Sequence, residues 1–570
     1  MSNEQSNSTT ADHHDSDPSG MSRRELLRTT GLAPAVMAVG GALSATVLSP
    51  RSAHAELITP SSNAQRRGDA FKIRKDAARD NRQQWKQLDP QLTNDDDLFP
   101  DARGSFTKCL PHDECGMVDP GAYHALRCAL ETGDPDDFEL IPLDPAAQRR
   151  LANPQAALSF AMTGLDPHFG RMPPAPSLTS LTSAAEMGEL YWAALTREVP
   201  FRDFGISSAV GQAVDDLNGF SQPVGPKDGG LVTPQTFLRG ETAGDLTGPF
   251  VSQLLWKPVP FGLATIEQRY PVPVAVDFMT DFASWLDIQR GASPASPIAY
   301  QPQPRYLANG RALGEYVHID QSYQAYLFGA LILLGYGPAA LSPQNPYLGS
   351  ATQGGFSTHG GPEILDMVAK VANLALKAAW FQKWSAHRRL RPEAYGGRLT
   401  VQLEGAKDYG LPADITGSAS VAAILSQYGN ALLPQAFPEG SPTHPAYPAG
   451  HATIAGACCT VLKAFFDESF VFPDPVEATA DGSALESWTG ATLTLGGEVD
   501  KLAANISLAR DTAGVHYRSD SIDGLFLGEQ VALAMLADDT RTYNEDFGGY
   551  ELTTFGGDSV LVVDGEVHYC

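Results

Sequence analysis

Apolar residues in this chain recur at intervals of three and four far more often than two. In the segment 361–391, Ile364, Met367, Val368, Val371, Leu374, Leu376 and Ala379 keep helical spacing, the buried stripe of an amphipathic helix. The same reading predicts helices over 418–433, 451–466, 496–511 and 520–538, and an aromatic, apolar helix between 313 and 337. From about 155 to 300, helical stretches alternate with Pro- and Gly-rich connections such as 222–230 and 256–262. Long period-two runs are scarce. The tail differs: 560–563, then Asp564-Gly565, then 566–569 predict a hairpin turning on Asp-Gly. The expected fold class is all-α, helical bundles joined by long loops, with a small β-hairpin near the C-terminus.

Four segments follow. Residues 1–55 look like an address. Arg23-Arg24 precede a mild apolar run, 32–48, broken by Gly31, Pro34, Gly40 and Gly41, and Ala53-His54-Ala55 supplies a small-x-small cleavage pattern. A spanning helix wants about 20 strongly apolar residues; this run is shorter and rich in Ala and Gly. It resembles a twin-arginine export signal, whose substrates cross already folded, so the mature protein is expected to start near Glu56 and to be periplasmic or secreted. Residues 56–300 read as an N-terminal helical region whose polar start, 56–110, carries Arg66-Arg67 and Asp95-Asp96-Asp97 and reads as a peripheral arm. Residues 301–545 form a second helical region, and 546–570 the hairpin tail. The run 327–334 is strongly apolar but too short to span a membrane.

Charge narrows the partners. Asp and Glu outnumber Lys and Arg 66 to 40, a formal charge of −26. Nucleic acid and anionic membrane surfaces both need a basic footprint and are excluded as partners. Any anion site must be a local basic cluster inside an acidic shell. Six cysteines fit an oxidising compartment. Cys109 and Cys115 are the pair nearest in sequence for a bridge, and Cys458-Cys459 reads as buried thiols; no Cys or His spacing suggests zinc.

Three segments concentrate groups that bind oxyanions. In the first, Lys383, His387 and Arg391 are spaced i, i+4, i+8, which predicts one helical face ended by Pro392, with Trp384 beside it. In the second, His444 and His451 bracket a Pro/Gly turn, and the helix after Gly450 offers free N–H groups and a positive dipole end. In the third, Arg510 lies six residues before His516, and Asp520 one helical turn after it, where a carboxylate could hold the imidazole or a neighbouring arginine. Alone, each could be a solvated basic face, a structural histidine or a helix-end ion pair.

Together and in this order, Lys-x7-Arg-Pro, Pro-x-Gly-His and Arg-x5-His-x3-Asp resemble the vanadium-dependent haloperoxidase and PAP2-type acid phosphatase superfamily. The likeness to algal and cyanobacterial bromoperoxidases is closer, and extends through 355–362, 381–397, 444–451 and 516–529. The resemblance implies a vanadate cofactor bonded to His516, with Lys383, Arg391 and Arg510 on its oxygens and Gly450 as a backbone donor. It implies His451 as acid–base group for hydrogen peroxide, a polarising role for Lys383, and His444 as the extra histidine of bromide- and iodide-oxidising enzymes. Trp384 and His387 would line the same pocket, although Trp384 reads equally as a packing residue. Hypohalous acid would then halogenate small organic acceptors, and the chain would form a dimer or larger homo-oligomer. The physical logic also stands alone, because arginine forks suit the oxygens of a compact oxyanion.

Two departures matter. Ala449 stands where the family has serine, and Ala509 where it has serine before Arg510. Some relatives carry calcium upstream, but 321–362 contains no Asp or Glu, so calcium is not expected. The competing expectations are an acid phosphatase, with His516 as nucleophile and His451 as leaving-group acid, and a non-catalytic periplasmic helical protein.

Overall fold

The computed structural model describes residues 60–85, 95–96 and 98–570; the export signal expected over 1–55 lies outside the described residues. Helices carry the architecture. The N-terminal half holds α1 (Pro60–Trp85), α2 (Pro120–Thr132), α3 (Pro135–Glu139), α4 (Leu181–Leu195), α5 (Ser208–Leu217) and α6 (Phe282–Gln289). The C-terminal half holds α7 (Gly310–Ile319), α8 (Gln324–Gly335), α9 (Gly361–Trp380), α10 (Pro392–Leu403), α11 (Ala413–Thr416), α12 (Ala419–Tyr428), α13 (Gly450–Phe465), α14 (Leu495–Thr512) and α15 (Arg518–Thr540). Among the described residues no helix is long and apolar enough to cross a membrane.

The centre is α13. Every residue of this helix except His451 is buried, which its small and aliphatic residues permit, its one buried charge, Lys463, being paired with Asp500 at 3.0 Å. A helix apolar on all sides belongs inside. It is surrounded by α9, α14 and α15, whose apolar stripes join it in one core that extends from Met172 to Val562. Two glycines set how closely α13 and α15 approach: a side chain on Gly456 would overlap the Leu525 carbonyl, and one on Gly528 the Thr453 carbonyl. A second core joins α4 to α10 through Tyr191, Trp192, Tyr395 and Leu399, with Tyr517 between them.

The predicted 313–337 helix is two helices, α7 and α8, with Asp320 extended at ψ 154° between them. The helix predicted over 418–433 stops at Tyr428 because Gly429 adopts the left-handed conformation of a C-terminal cap. The tail hairpin forms as read. Val563 pairs with Glu566 across Asp564-Gly565, and both turn residues have positive φ, as a two-residue primed turn requires. A further strand, Tyr550–Thr553, widens it to a three-stranded sheet with Ser559–Val563 and Glu566–Tyr569. Two further hairpins, 259–266 and 476–487, carry no alternation long enough to read from sequence.

The peripheral-arm reading of 56–110 holds only for its start. Helix α1 is largely exposed, but Ala102, Phe106, Cys109 and Leu110 are core residues. Lys108 is buried against Glu393 at 2.6 Å. Asp95 and Asp96 are buried as well: Asp96 receives Arg388 at 2.7 Å and Tyr123 Oη at 2.6 Å. A run of acids that looks solvated is here a socket for a distant arginine. All six cysteines are free thiols, Cys109 and Cys115 included, so the proximity pairing is not made.

Because the Gly528 hydrogen is the whole clearance between α13 and α15, Gly528→Ala is expected to cost about 1–3 kcal/mol or more. Thermal or urea unfolding checks this; an unchanged midpoint would show that the two helices have slack.

Candidate functional site

The first cluster is not one helical face. After Trp380, α9 widens into a π-helical turn, Phe381–His387, and ends there. Arg388 follows at φ 43°, and Arg391 is extended. Pro392 then opens α10 instead of closing α9, since its missing N–H and fixed φ suit the first turn, and the residue before proline is driven out of helix. Arg388 is fastened by Asp96 and by the carbonyls of Trp384 and Ser385, at 3.0 and 2.8 Å. The unwinding separates the side chains. Trp384 packs edge-on against Phe106, at 5.5 Å, in a hydrophobic cluster. His387 packs edge-on against Tyr447, at 4.7 Å, with burial pushing its pKa down to about 3. Neither joins the group that follows.

Lys383 and Arg391 do converge on the second and third clusters. The Lys383 ammonium donates to the carbonyls of Pro445 and Ala446 at 2.8 and 2.9 Å. Arg391 donates through Nε to the His444 carbonyl at 2.9 Å and through Nη1 to the Val515 carbonyl at 2.7 Å. The same Nη1 lies 2.9 Å from His516 Nε2, and Nη2 lies 3.0 Å from His444 Nδ1. Arg510 donates to the Val317 carbonyl at 2.7 Å and lies over the Phe437 ring, while its buried Nε has no partner. His444 also packs against Trp380, ring centroids 4.8 Å apart.

Three buried cations therefore hold their places by bonding to backbone carbonyls. Their neighbours have carboxylate partners as well. Arg389 sits on Glu186 and Asp520, Arg518 on Glu189, Lys108 on Glu393. A carbonyl orients a cation without cancelling it, so the hollow between Lys383, Arg391 and Arg510 stays positive. Burial, with mutual repulsion, holds the Lys383 ammonium well below its usual range. Burial likewise brings Arg391 down to about 9 and Arg510 to about 10, and burial plus these cations keeps His444 and His516 neutral. Two unit charges about 4 Å apart at an effective dielectric of about 20 interact by about 4 kcal/mol. An anion here collects that attraction from each cation and relieves their repulsion.

Asp520, the third residue of α15, orders this centre from behind. Its Oδ2 takes His516 Nδ1 at 2.9 Å and the Tyr517 N–H at 3.0 Å; its Oδ1 takes Arg389 at 2.7 Å. A carboxylate only accepts, so His516 carries its proton on Nδ1 and presents the Nε2 lone pair on the side of Arg391, whose Nη1 donates to it. His451 stands at the start of α13, partly exposed, with Nε2 3.0 Å from Asp320 Oδ1. Gly450 is the first residue of α13, where N–H groups lack intrahelical partners. Ala449 is the N-cap and offers no side-chain bond to those groups. Asp320 and Arg389 belong to this centre without standing out in any of the three sequence clusters. Asp320 carries little local signal, since Glu315 stands five residues before it on the same helix, and Arg389 is masked by the arginines around it. Among the described residues no group of three or more His, Cys, Asp or Glu side chains could hold a metal cation. The donor set suits an oxyanion.

Residues 367–545 match a family model described as the VCPO second helical-bundle domain, which sets the helical class of this centre. The chain is 36% identical over 491 residues to the vanadium-dependent bromoperoxidase of Ascophyllum nodosum, covering 82% of this chain and 87% of that one. It is 34% identical over 568 residues to the same enzyme of Corallina officinalis, covering 83% and 95%. It superposes on the homohexameric second vanadate-dependent bromoperoxidase of Ascophyllum nodosum with a TM-score of 0.84 at 29% identity, covering 96% and 97% of the two chains. The chain belongs to the vanadium-dependent bromoperoxidase family.

Removing Asp520 leaves Arg389 short of a partner and His516 free to turn. Asp520→Ala is expected to cost about 3–5 kcal/mol, as breaking a buried ion pair does. Urea unfolding measures it, and a loss below about 1 kcal/mol would mean that Glu186 alone satisfies Arg389.

Proposed function

We propose that this protein oxidises bromide, and also iodide, with hydrogen peroxide, using vanadate held in the hollow between Lys383, Arg391, Arg510 and His516. The observation that carries this reading is the carbonyl-bonded, uncompensated set of three buried cations around one imidazole lone pair. That set fits vanadate: His516 Nε2 as the ligand nitrogen, Lys383, Arg391 and Arg510 for the oxygens, the Gly450 N–H as a further donor, and the orphaned Arg510 Nε as a group awaiting an acceptor. Bound vanadate supplies a Lewis-acid centre that activates peroxide without changing its own oxidation state.

The chain's own groups do the rest. Peroxide must lose protons on binding, and His451 is the titratable group beside the start of α13 that is open to solvent. With Nε2 tied to Asp320, its Nδ1 is the nitrogen free to exchange a proton. Lys383 and Arg391 hold positive charge where anionic oxygen develops, in a dry site where such charges act strongly. In the net reaction, bromide gives two electrons to the peroxide O–O bond, one proton is taken up from solvent, and one hypobromous acid and one water form. His444, against Trp380, supports bromide and iodide as the halides. Small organic acceptors would consume the hypohalous acid. Self-association is supported by likeness to a homohexameric bromoperoxidase, and export by the twin-arginine pattern at Arg23-Arg24.

Purified protein loaded with orthovanadate is expected to brominate a phenol-red type acceptor with peroxide and bromide, and His516→Ala to abolish this. Cleavage of p-nitrophenyl phosphate without vanadate, and no bromination with it, would instead favour a phosphatase. Ala449→Ser restores one hydrogen bond to a charged group, worth about 1.5–3 kcal/mol, or one to two decades in vanadate affinity. Serine at an N-cap would also raise stability by about 1 kcal/mol. Equilibrium dialysis against orthovanadate checks the affinity, and no gain in the serine variant would contradict it.

A further inference from the structure

The end of α7 meets the residues of the oxyanion hollow at two places. The Val317 carbonyl receives Arg510 Nη1 at 2.7 Å, and Asp320 receives His451 Nε2 at 3.0 Å. Between them, His318 reaches the loop before α13. Its Nδ1 lies 3.2 Å from Glu315 Oε2, on its own helix, and its Nε2 lies 2.7 Å from Glu439 Oε1. The imidazole is stacked flat on Phe437, 3.9 Å between centroids and 9° between planes. The same Phe437 ring carries the Arg510 guanidinium, 5.5 Å from its centroid.

Arg510 has five N–H donors, and the Val317 carbonyl takes one of them. Its Nε is buried without a partner. The Phe437 ring is therefore the second constraint on where the guanidinium lies, and Phe437 in turn is held by the His318 ring and by the Glu439 clamp two residues on. We propose that His318 is a positioning residue for Arg510: through Phe437 and the last turn of α7, it fixes the guanidinium that binds the oxyanion. The proposal rests on the reading of the hollow as the vanadate site, and it concerns a residue that touches neither anion nor halide.

The clamp also sets a pH limit. Despite burial, the two carboxylates raise the His318 pKa to about 9. Tyr300, bonded to Glu315 at 2.6 Å, Arg149 and Lys108, which donate to the Glu439 carbonyl at 3.0 and 2.9 Å, and Arg510, which feels the Glu439 charge, also face this cluster. Because the folded value lies above the ordinary imidazole value of about 6.5, the clamp is complete below that pH and fades as pH rises through about 9. Above it, one carboxylate loses its donor and the Phe437–Glu439 segment loosens.

The test is the dissociation constant of orthovanadate from the full-length apoprotein, measured by equilibrium dialysis at pH 7.5 and 9.5. His318→Ala, shown folded by circular dichroism, is expected to bind vanadate about tenfold more weakly at pH 7.5, the lower end for residues that orient a ligand. His318→Arg keeps a planar cation that can stack on Phe437 and bridge both carboxylates. It is expected to bind within about threefold of wild type at pH 7.5 and to outbind wild type at pH 9.5, since it does not titrate there. A purely structural role would lower the melting temperature without moving either ratio. Wild-type affinity in the alanine variant, or no rescue by arginine, overturns the proposal. If the alanine variant does not fold, the arginine-to-wild-type ratio at the two pH values decides alone, and an unchanged ratio overturns it. Failure of wild type to bind vanadate would instead sink the site reading itself.

Discussion

Like charges cannot be gathered in a dry hollow unless something holds them there without cancelling them. Here that something is backbone. Lys383, Arg391 and Arg510 are bonded to the carbonyls of residues 445, 446, 444, 515 and 317, whereas the cations one shell out are neutralised by Asp96, Glu186, Glu189, Glu393 and Asp520. The carboxylates build a rigid wall and the carbonyls leave its inner face positive. In a chain of net charge −26, such a site is the exception and explains itself only by what it binds.

The fold supplies the carbonyls by bringing chain ends together. The π-helical turn after α9, the proline-rich approach to α13, the gap between α14 and α15 and the last turn of α7 all lie outside regular α-helical hydrogen bonding. Their polar backbone groups are free to serve as acceptors or donors. The glycines that let α13 and α15 touch fix the spacing of two of these ends, because the Ala449 N–H donates to the Asp520 carbonyl at 2.8 Å. Packing in the core and geometry at the site are thus one constraint.

Much of this was legible locally. The helical periods, the Asp-Gly hairpin and the Arg-x5-His-x3-Asp spacing are short-range properties, and the structure brings Lys383, Arg391, His444 and His516 into one group, with Arg510 acting on all four. What could not be read depends on partners far away in sequence. The break after His387 follows from Arg388 meeting Asp96, a contact across nearly three hundred positions. A proline after a helical pattern, as at Pro392, usually marks a stop, yet at a helix start it fits equally well. Asp320 and Glu439 acquire meaning only once α7 lies beside the 437–439 loop, and Trp384 goes to the core because the π-turn rotates it away.

The account is tested most directly by X-ray diffraction at the vanadium absorption edge from crystals soaked in orthovanadate. It predicts one anomalous peak bonded to His516 Nε2 and ringed by Lys383, Arg391 and Arg510. Vanadium bound elsewhere, or a hollow that stays empty while the protein is active, would contradict it.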